Sequence, residues 1–301
     1  MKRAVLVTAT GLVVGWTLTG CGSAGDAADT TYSAEVAVST AESSDLTIPE
    51  HLSQVEVYGF MPSRLLSALP DEMQAAVHWG SVLSFVPTVS RQQQEDILNS
   101  LSFAQAAARA STGRDFPSTL DDAAEQYDTY VGVLKGLGWT ADQSGFQRYS
   151  AEESEFRMDS VAVATIAKIA TAGQLDVLTQ AIETLASLPS EAETVALFER
   201  FAAEGLRGNF EVGSAEVDSN GFLSFCLGAF YFEASDERRR FLVFRWGSRE
   251  VDFWITAQCM TLNEVVYSQA RDIVVDRLEA LGAVSAATRP LLPAPSQSPD
   301  L

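Results

Sequence analysis

The chain has few of the residues on which most catalytic and metal chemistry depends. Two histidines (His51 and His78) and three cysteines occur in 301 residues, and no spacing joins them as a zinc set. There is no Gly-x-Ser-x-Gly, so a nucleophile elbow is absent. Positive charge is scarce: 20 Lys and Arg stand against 40 Asp and Glu, a formal charge of −20. Such a body is repelled by nucleic-acid backbones and by anionic lipid headgroups, which argues against a nucleic-acid partner. Long apolar runs are missing too. Past residue 18 no stretch reaches the ~20 apolar residues that a membrane-spanning helix needs.

What is present starts at the amino terminus. Lys2 and Arg3 precede Ala4 to Leu18, which is uncharged and mostly apolar, the layout of a secretory signal. The run ends in Leu18-Thr19-Gly20-Cys21, which resembles a bacterial lipobox. That resemblance implies a diacylglycerol thioether on Cys21, and a mature chain that begins there. The expected protein is exported and held on the outer face of the cell membrane by acyl chains, each buried CH2 contributing about 0.8 kcal/mol. Removing residues 1–20 takes away Lys2 and Arg3 and no acid, so the formal charge moves from −20 to −22.

Residues 21–50 are rich in Ser, Thr, Ala, Asp and Glu and read as a flexible polar stalk. Residues 51–207 read as mainly helical. "STLDDAAEQYDTYVGVLKGLG" (118–138) carries apolar residues at steps of three and four, with Ser118 as cap and Gly136 and Gly138 as stops. "SEAETVALFERFAAEGLRG" (190–208) opens with Ser190 and Glu193 at capping-box spacing. "DSVAVATIAKIATAG" (159–173) is apolar nearly all round, which suits a central buried helix or a segment able to enter a bilayer.

After Gly208 the period switches to two. "NFEVGSAEV" and "FLSFCLGAFYFEA" form a hairpin through "DSNG"; "RFLVFRW" (240–246) and "VDFWITAQCM" (251–260) follow as two more strands. A helix over 261–282 closes the region, with Thr261 and Glu264 as a capping box. Residues 208–282 are thus an antiparallel sheet plus terminal helix, forming one α+β domain with 51–207; 283–301 is a disordered proline-rich tail. The expected architecture is α+β, a helical layer packed on a four-stranded antiparallel meander with a closing helix. In that register Cys226 and Cys259 lie at opposite ends of one face, too far apart to bridge, and are expected to be buried free thiols.

Other motifs are weak. "GLGWTA" (136–141) has the glycines of a dinucleotide site but follows a helix, not a strand. "EVDSNGFLS" (216–224) echoes a calcium loop, but Leu227 stands where the final acid belongs, which leaves weak calcium binding at Glu216, Asp218 and Asn220 as a secondary expectation. Arg238, Arg239 and Arg240 form a basic cluster that could contact an anion. No cofactor is implied. The residues "NFEVG", "DSNGFLSFCLGAFYFEA", "FLVFRW" and "TLNEVVYSQARDIVVDRL" resemble a set of bacterial and fungal proteins without assigned activity, which implies an α+β layout and no catalytic residue.

Three functions remain open. The first is a lipid-anchored cell-envelope protein that binds an unknown protein or small molecule. A transporter's substrate-binding lipoprotein fits poorly, because helices and strands are segregated here. The second is a membrane-active or toxin-like protein, suggested by the apolar 159–173 segment beside an aromatic sheet. The third is an enzyme with an unrecognised site.

Overall fold

The structure, a computed structural model, describes residues 52, 55, 73–141, 144–281 and 288–293. The expected signal peptide, Cys21 and the expected stalk lie outside the described residues, as does the expected tail apart from 288–293.

The protein is α+β. In chain order it runs β1 (Met73–His78), β2 (Ser81–Phe85), α1 (Arg91–Thr112), α2 (Leu120–Gly136), β3 (Trp139–Thr140), β4 (Gln147–Arg148), β5 (Glu155–Arg157), α3 (Met158–Ile166), α4 (Ala172–Ser187), α5 (Glu193–Ala202), β6 (Ala203–Glu204), β7 (Arg207–Val217), β8 (Leu223–Ala234), β9 (Arg245–Gly247), β10 (Val251–Leu262), α6 (Glu264–Ala280) and β11 (Thr288–Pro293). The main sheet is ordered β11-β1-β2-β7-β8-β10-β3, with β4 on β10 and β6 on β7. Its pairs are antiparallel except β2 with β7, which run parallel.

Helices cover both faces, giving three layers rather than the single helical layer expected. One face packs Leu101 and Phe103 of α1, Tyr130 and Leu134 of α2 and Val274 of α6 against Phe225, Leu227 and Met260. The other packs Ile166 of α3, Leu178 and Ile182 of α4 and Phe198 of α5 against Phe210, Phe230, Phe232 and Phe253. Side chains alternate across a strand, so β8 must be apolar at nearly every position to satisfy both cores.

Four expectations need correction. Met73 to Phe85, read as helical, is the β1–β2 hairpin. It turns at Trp79 (φ 52°) and Gly80, where a Cβ would stand 2.7 Å from the Phe201 carbonyl oxygen. "RFLVFRW" does not join the main sheet. Arg240 turns with φ 58°, and Phe241, Leu242 and Trp246 bury themselves in the α3–α5 core. Only Arg245–Gly247 is extended, paired with β5 in a separate ribbon. β8 therefore pairs directly with β10, from Ala234↔Val251 to Ser224↔Thr261.

That pairing sets Cys226 opposite Cys259, and the two are disulfide-bonded across 3.9 Å between Cα atoms. The expected free thiols followed from a register with one strand too many. Lastly, residues 288–293 of the expected tail form edge strand β11 on β1.

Helix starts also shift. Thr119, not Ser118, caps α2. α5 starts after Ala192 without a side-chain cap, and Asn263 caps α6. The apolar 159–173 stretch is not one helix: α3 stops at Ile166 and α4 begins after its cap Thr171.

Candidate functional site

The long strands hold the densest apolar surface. β8 and β10 are 12 residues each, and Phe222 to Phe232 and Phe253 to Leu262 carry no charge. On the α3–α5 side Phe210, Phe230 and Phe253 stack across three strands, with ring centroids 4.9 and 5.8 Å apart for the adjacent pairs. Charges return only at the strand ends, Glu233 and Asp252 at one and Asp218 and Glu264 beyond the other.

β7 differs, because Glu211 interrupts it. Burial pushes its carboxyl pKa up, while three donors pull the other way: Ser81 Oγ at 2.9 Å, Gln105 Nε2 at 3.2 Å and Tyr130 Oη at 3.4 Å. Arg109 stands nearby, its own pKa lowered by burial. Together they line a cavity of about 60 Å³ between the α1–α2 hairpin and the sheet. It is polar and roomy enough for a few waters.

Next to it, buried His78 bonds Thr288 Oγ1 through Nδ1 at 2.8 Å and Ser102 Oγ through Nε2 at 2.9 Å. Burial, then the Arg109 charge, lowers its pKa to about 3, so the ring is neutral. It ties β1, β11 and α1 together. The sequence signal for the Glu211 cluster was a lone acid inside "NFEVG", which reading by motif passed over.

The residues singled out in the sequence do not converge. Glu216 accepts a hydrogen bond from Thr171 Oγ1 at 2.5 Å, and Asp218 accepts from the backbone N–H groups of Asn220 and Phe222, each at 2.9 Å. Those backbone bonds hold the Asp218 carboxyl below its usual pKa. These acids serve a helix cap and a turn, and no metal-binding group of three or more His, Cys, Asp or Glu occurs among the described residues. The arginine cluster is divided. Arg240 points inward to the Ala186 and Leu188 carbonyls at the end of α4, while Arg238 pairs with Asp236 at 2.8 Å and Arg239 is exposed. Cys21 lies outside the described residues.

Beside the polar β7–β8 turn two large apolar side chains are exposed. Phe222 is 57% exposed and Val265, in the first turn of α6, is 72% exposed; both line an open groove of about 620 Å³.

No family model matches the chain, and no curated protein does. Among solved structures, one titled "Structure of the Evf virulence factor" is 12% identical over 73% of this chain and 92% of that one, with a TM-score of 0.34. One titled "DELTA-ENDOTOXIN" is 9% identical, covering 67% and 88%, with a TM-score of 0.36. The activated Cyt2Ba monomer from Bacillus thuringiensis subsp. israelensis is 13% identical, covering 61% and 96%, with a TM-score of 0.33. Likeness at this level establishes neither fold nor function.

Proposed function

We propose that this is a membrane-active, toxin-like protein, exported and tethered through an acylated Cys21, whose body acts on lipid bilayers through β8 and β10. One observation carries this reading. Two adjacent antiparallel strands of 12 residues, uncharged along most of their length and largely apolar, with Thr256 and Gln258 on one face of β10, match the ~9–11 residues that a strand needs to cross a bilayer. Helices do not offer that route: no helix among the described residues is long and apolar enough to cross. The weight of the membrane-active reading therefore moves from the 159–173 segment to the sheet. Backbone groups at a sheet edge cannot face lipid unpaired, so strands entering a bilayer would have to pair with those of further copies.

The anchored binding module finds no small-molecule site at Glu211, where about 60 Å³ is far below the ~300 Å³ or more of such a site; it would have to use the open groove of about 620 Å³ at Phe222 and Val265.

The test is dye release from neutral vesicles by a chain lacking residues 1–20 and carrying Cys21→Ser, so that no acyl group contributes. Residues 45–301 form one compact unit, which this chain keeps whole. Release at low protein-to-lipid ratio is expected. No release from protein shown by circular dichroism to be folded would overturn the reading.

A further inference from the structure

We infer that the bilayer is met first by the end of the sheet carrying Phe222 and Val265, and that the surface it fits is zwitterionic, of phosphocholine type. The inference rests on the membrane-active reading above and adds the face and the lipid chemistry.

Large apolar side chains left exposed among the described residues are Ile169, Leu206, Phe222 and Val265. Three of them gather at one end. Phe222 precedes the first residue of β8, and Val265 follows β10 directly in the first turn of α6. The Ile169 carbonyl touches the Cys226 and Cys259 sulfurs at 3.7 and 3.2 Å, two to three residues in from the same rim. Leu206 alone lies at the far end, beside the start of β7.

Phe222 is held in place. The Asp218 carboxylate accepts from its backbone N–H and from that of Asn220, and Gly221 adopts the left-handed conformation (φ 84°) that closes the turn. A ring fixed outward by its own turn has already lost much of the freedom that binding would otherwise remove. It also sits where contact leads onward, because the uncharged run Phe222 to Phe232 starts at this residue.

Charge selects the lipid. The rim carries Glu216, Asp218 and Glu264. Among its cations, Arg271 is already engaged, bonding Asp96 through Nε and Nη2 at 2.8 Å each and Glu264 at 2.6 Å, and Arg91 pairs with Glu95 at 3.0 Å, while Lys168 beside Ile169 is exposed. Glu216, Asp218 and Glu264 outnumber that lysine, so the balance of the rim is acidic, on a chain of formal charge −20. An anionic surface is repelled by such a rim, whereas the choline ammonium, the outermost group of a phosphocholine headgroup, complements it. Phe222 adds an aromatic face for the same cation.

The test is flotation with phosphocholine vesicles, using the Cys21→Ser chain without residues 1–20. Phe222→Ser with Val265→Ser is expected to lower partitioning about tenfold or more. Leu206→Ser, an apolar site at the other end that is 48% exposed, is expected to stay within about twofold. Replacing part of the lipid by phosphatidylglycerol at low salt should weaken binding of the parent. Should the double variant misfold, Phe222→Trp serves instead: its emission should be quenched by brominated lipid beyond that of the parent. Unchanged partitioning of a folded double variant, equal loss in Leu206→Ser, tighter binding to anionic vesicles, or no added quenching would each overturn the inference while leaving dye release by the parent intact. A parent that neither binds nor releases dye would instead overturn the membrane-active reading, and the inference with it.

Discussion

The two faces of the sheet are held by different physics. Polar clasps bolt α1, α2 and α6 to their face. Glu211 joins β7 to α1, α2 and β2. His78 of β1 bonds Ser102 of α1, Gln258 of β10 donates to Tyr127 of α2 at 2.9 Å, and Arg271 of α6 clamps buried Asp96 of α1. On the α3–α5 face the contact is an aromatic stack. Side-chain hydrogen bonds from that layer to the sheet gather, among the described residues, at the first turn of α4, where Gln174 and Ser214 bond reciprocally and Thr171 meets Glu216. Apolar contacts with a sheet can be exchanged for contacts with acyl chains at little cost, because lipid is as apolar as leucine. A buried hydrogen bond cannot. If the protein acts on bilayers as proposed, the α3–α5 layer would be the one to part from the sheet, and α1, α2 and α6 the part that stays.

That contrast is open to attack on both sides. The largest effect is expected at the stack: Phe230→Ala, fully buried between Phe210 and Phe253, should cost about 3–5 kcal/mol in urea unfolding. The polar face should show instead in pH dependence. His78 is neutral when folded, with its pKa lowered from 6.5 to about 3, so the unfolded chain binds its proton first and stability falls as pH drops below 6.5. The loss is at most about 5 kcal/mol, complete only below pH 3.

Glu211 has the opposite sign. Its raised pKa means that the folded chain keeps the proton longer, so its contribution is present below 4.5 and is lost as pH rises through the folded value. His78→Gln should flatten the acid limb, and Glu211→Gln should flatten the decline above 4.5. If neither changes the pH profile of unfolding, the polar clasps do not hold that face.

The disulfide comes next in size. It joins β8 to β10 across a sequence separation of 33, and Cys259→Ser together with Cys226→Ser should cost about 2–4 kcal/mol. In the chain carrying Cys21→Ser, thiol titration of unfolded, unreduced protein should find no free thiol.

The disulfide also shows how far the sequence was legible. The 3.6 period of α2 and α6, the "DSNG" turn, the alternation of β7 and the aromatic, β-prone runs of β8 and β10 are local, and local chemistry marks them. Register is not local. "RFLVFRW" has an apolar, β-prone pattern, yet its Phe241, Leu242 and Trp246 are worth more inside the α3–α5 core than on a sheet edge. Removing that strand from the count brings Cys226 and Cys259 together. β1 and β2 were hidden for a related reason: strands buried on both faces lose the alternation that distinguishes them from buried helix. Phe222 and Val265 sat in plain view, but exposure is a property of the fold and left no mark on a hydrophobic pattern.

The smallest stability effect decides most about the two faces. α1 and α4 start with the same device, a capping box: Ser90 with Gln93, and Thr171 with Gln174. Ser90→Ala and Thr171→Ala should each cost about 1 kcal/mol. They are matched as caps, one on each face of the sheet, and Thr171→Ala in addition removes the hydrogen bond to Glu216 of β7. If unfolding as a whole limits action on a bilayer, both should speed dye release alike. If the α3–α5 layer parts while α1, α2 and α6 hold, only Thr171→Ala should speed it, by about fivefold for ~1 kcal/mol taken from that layer alone. Equal rates in the two variants would mean that the faces differ in chemistry but not in behaviour. A faster Ser90→Ala would reverse which layer moves.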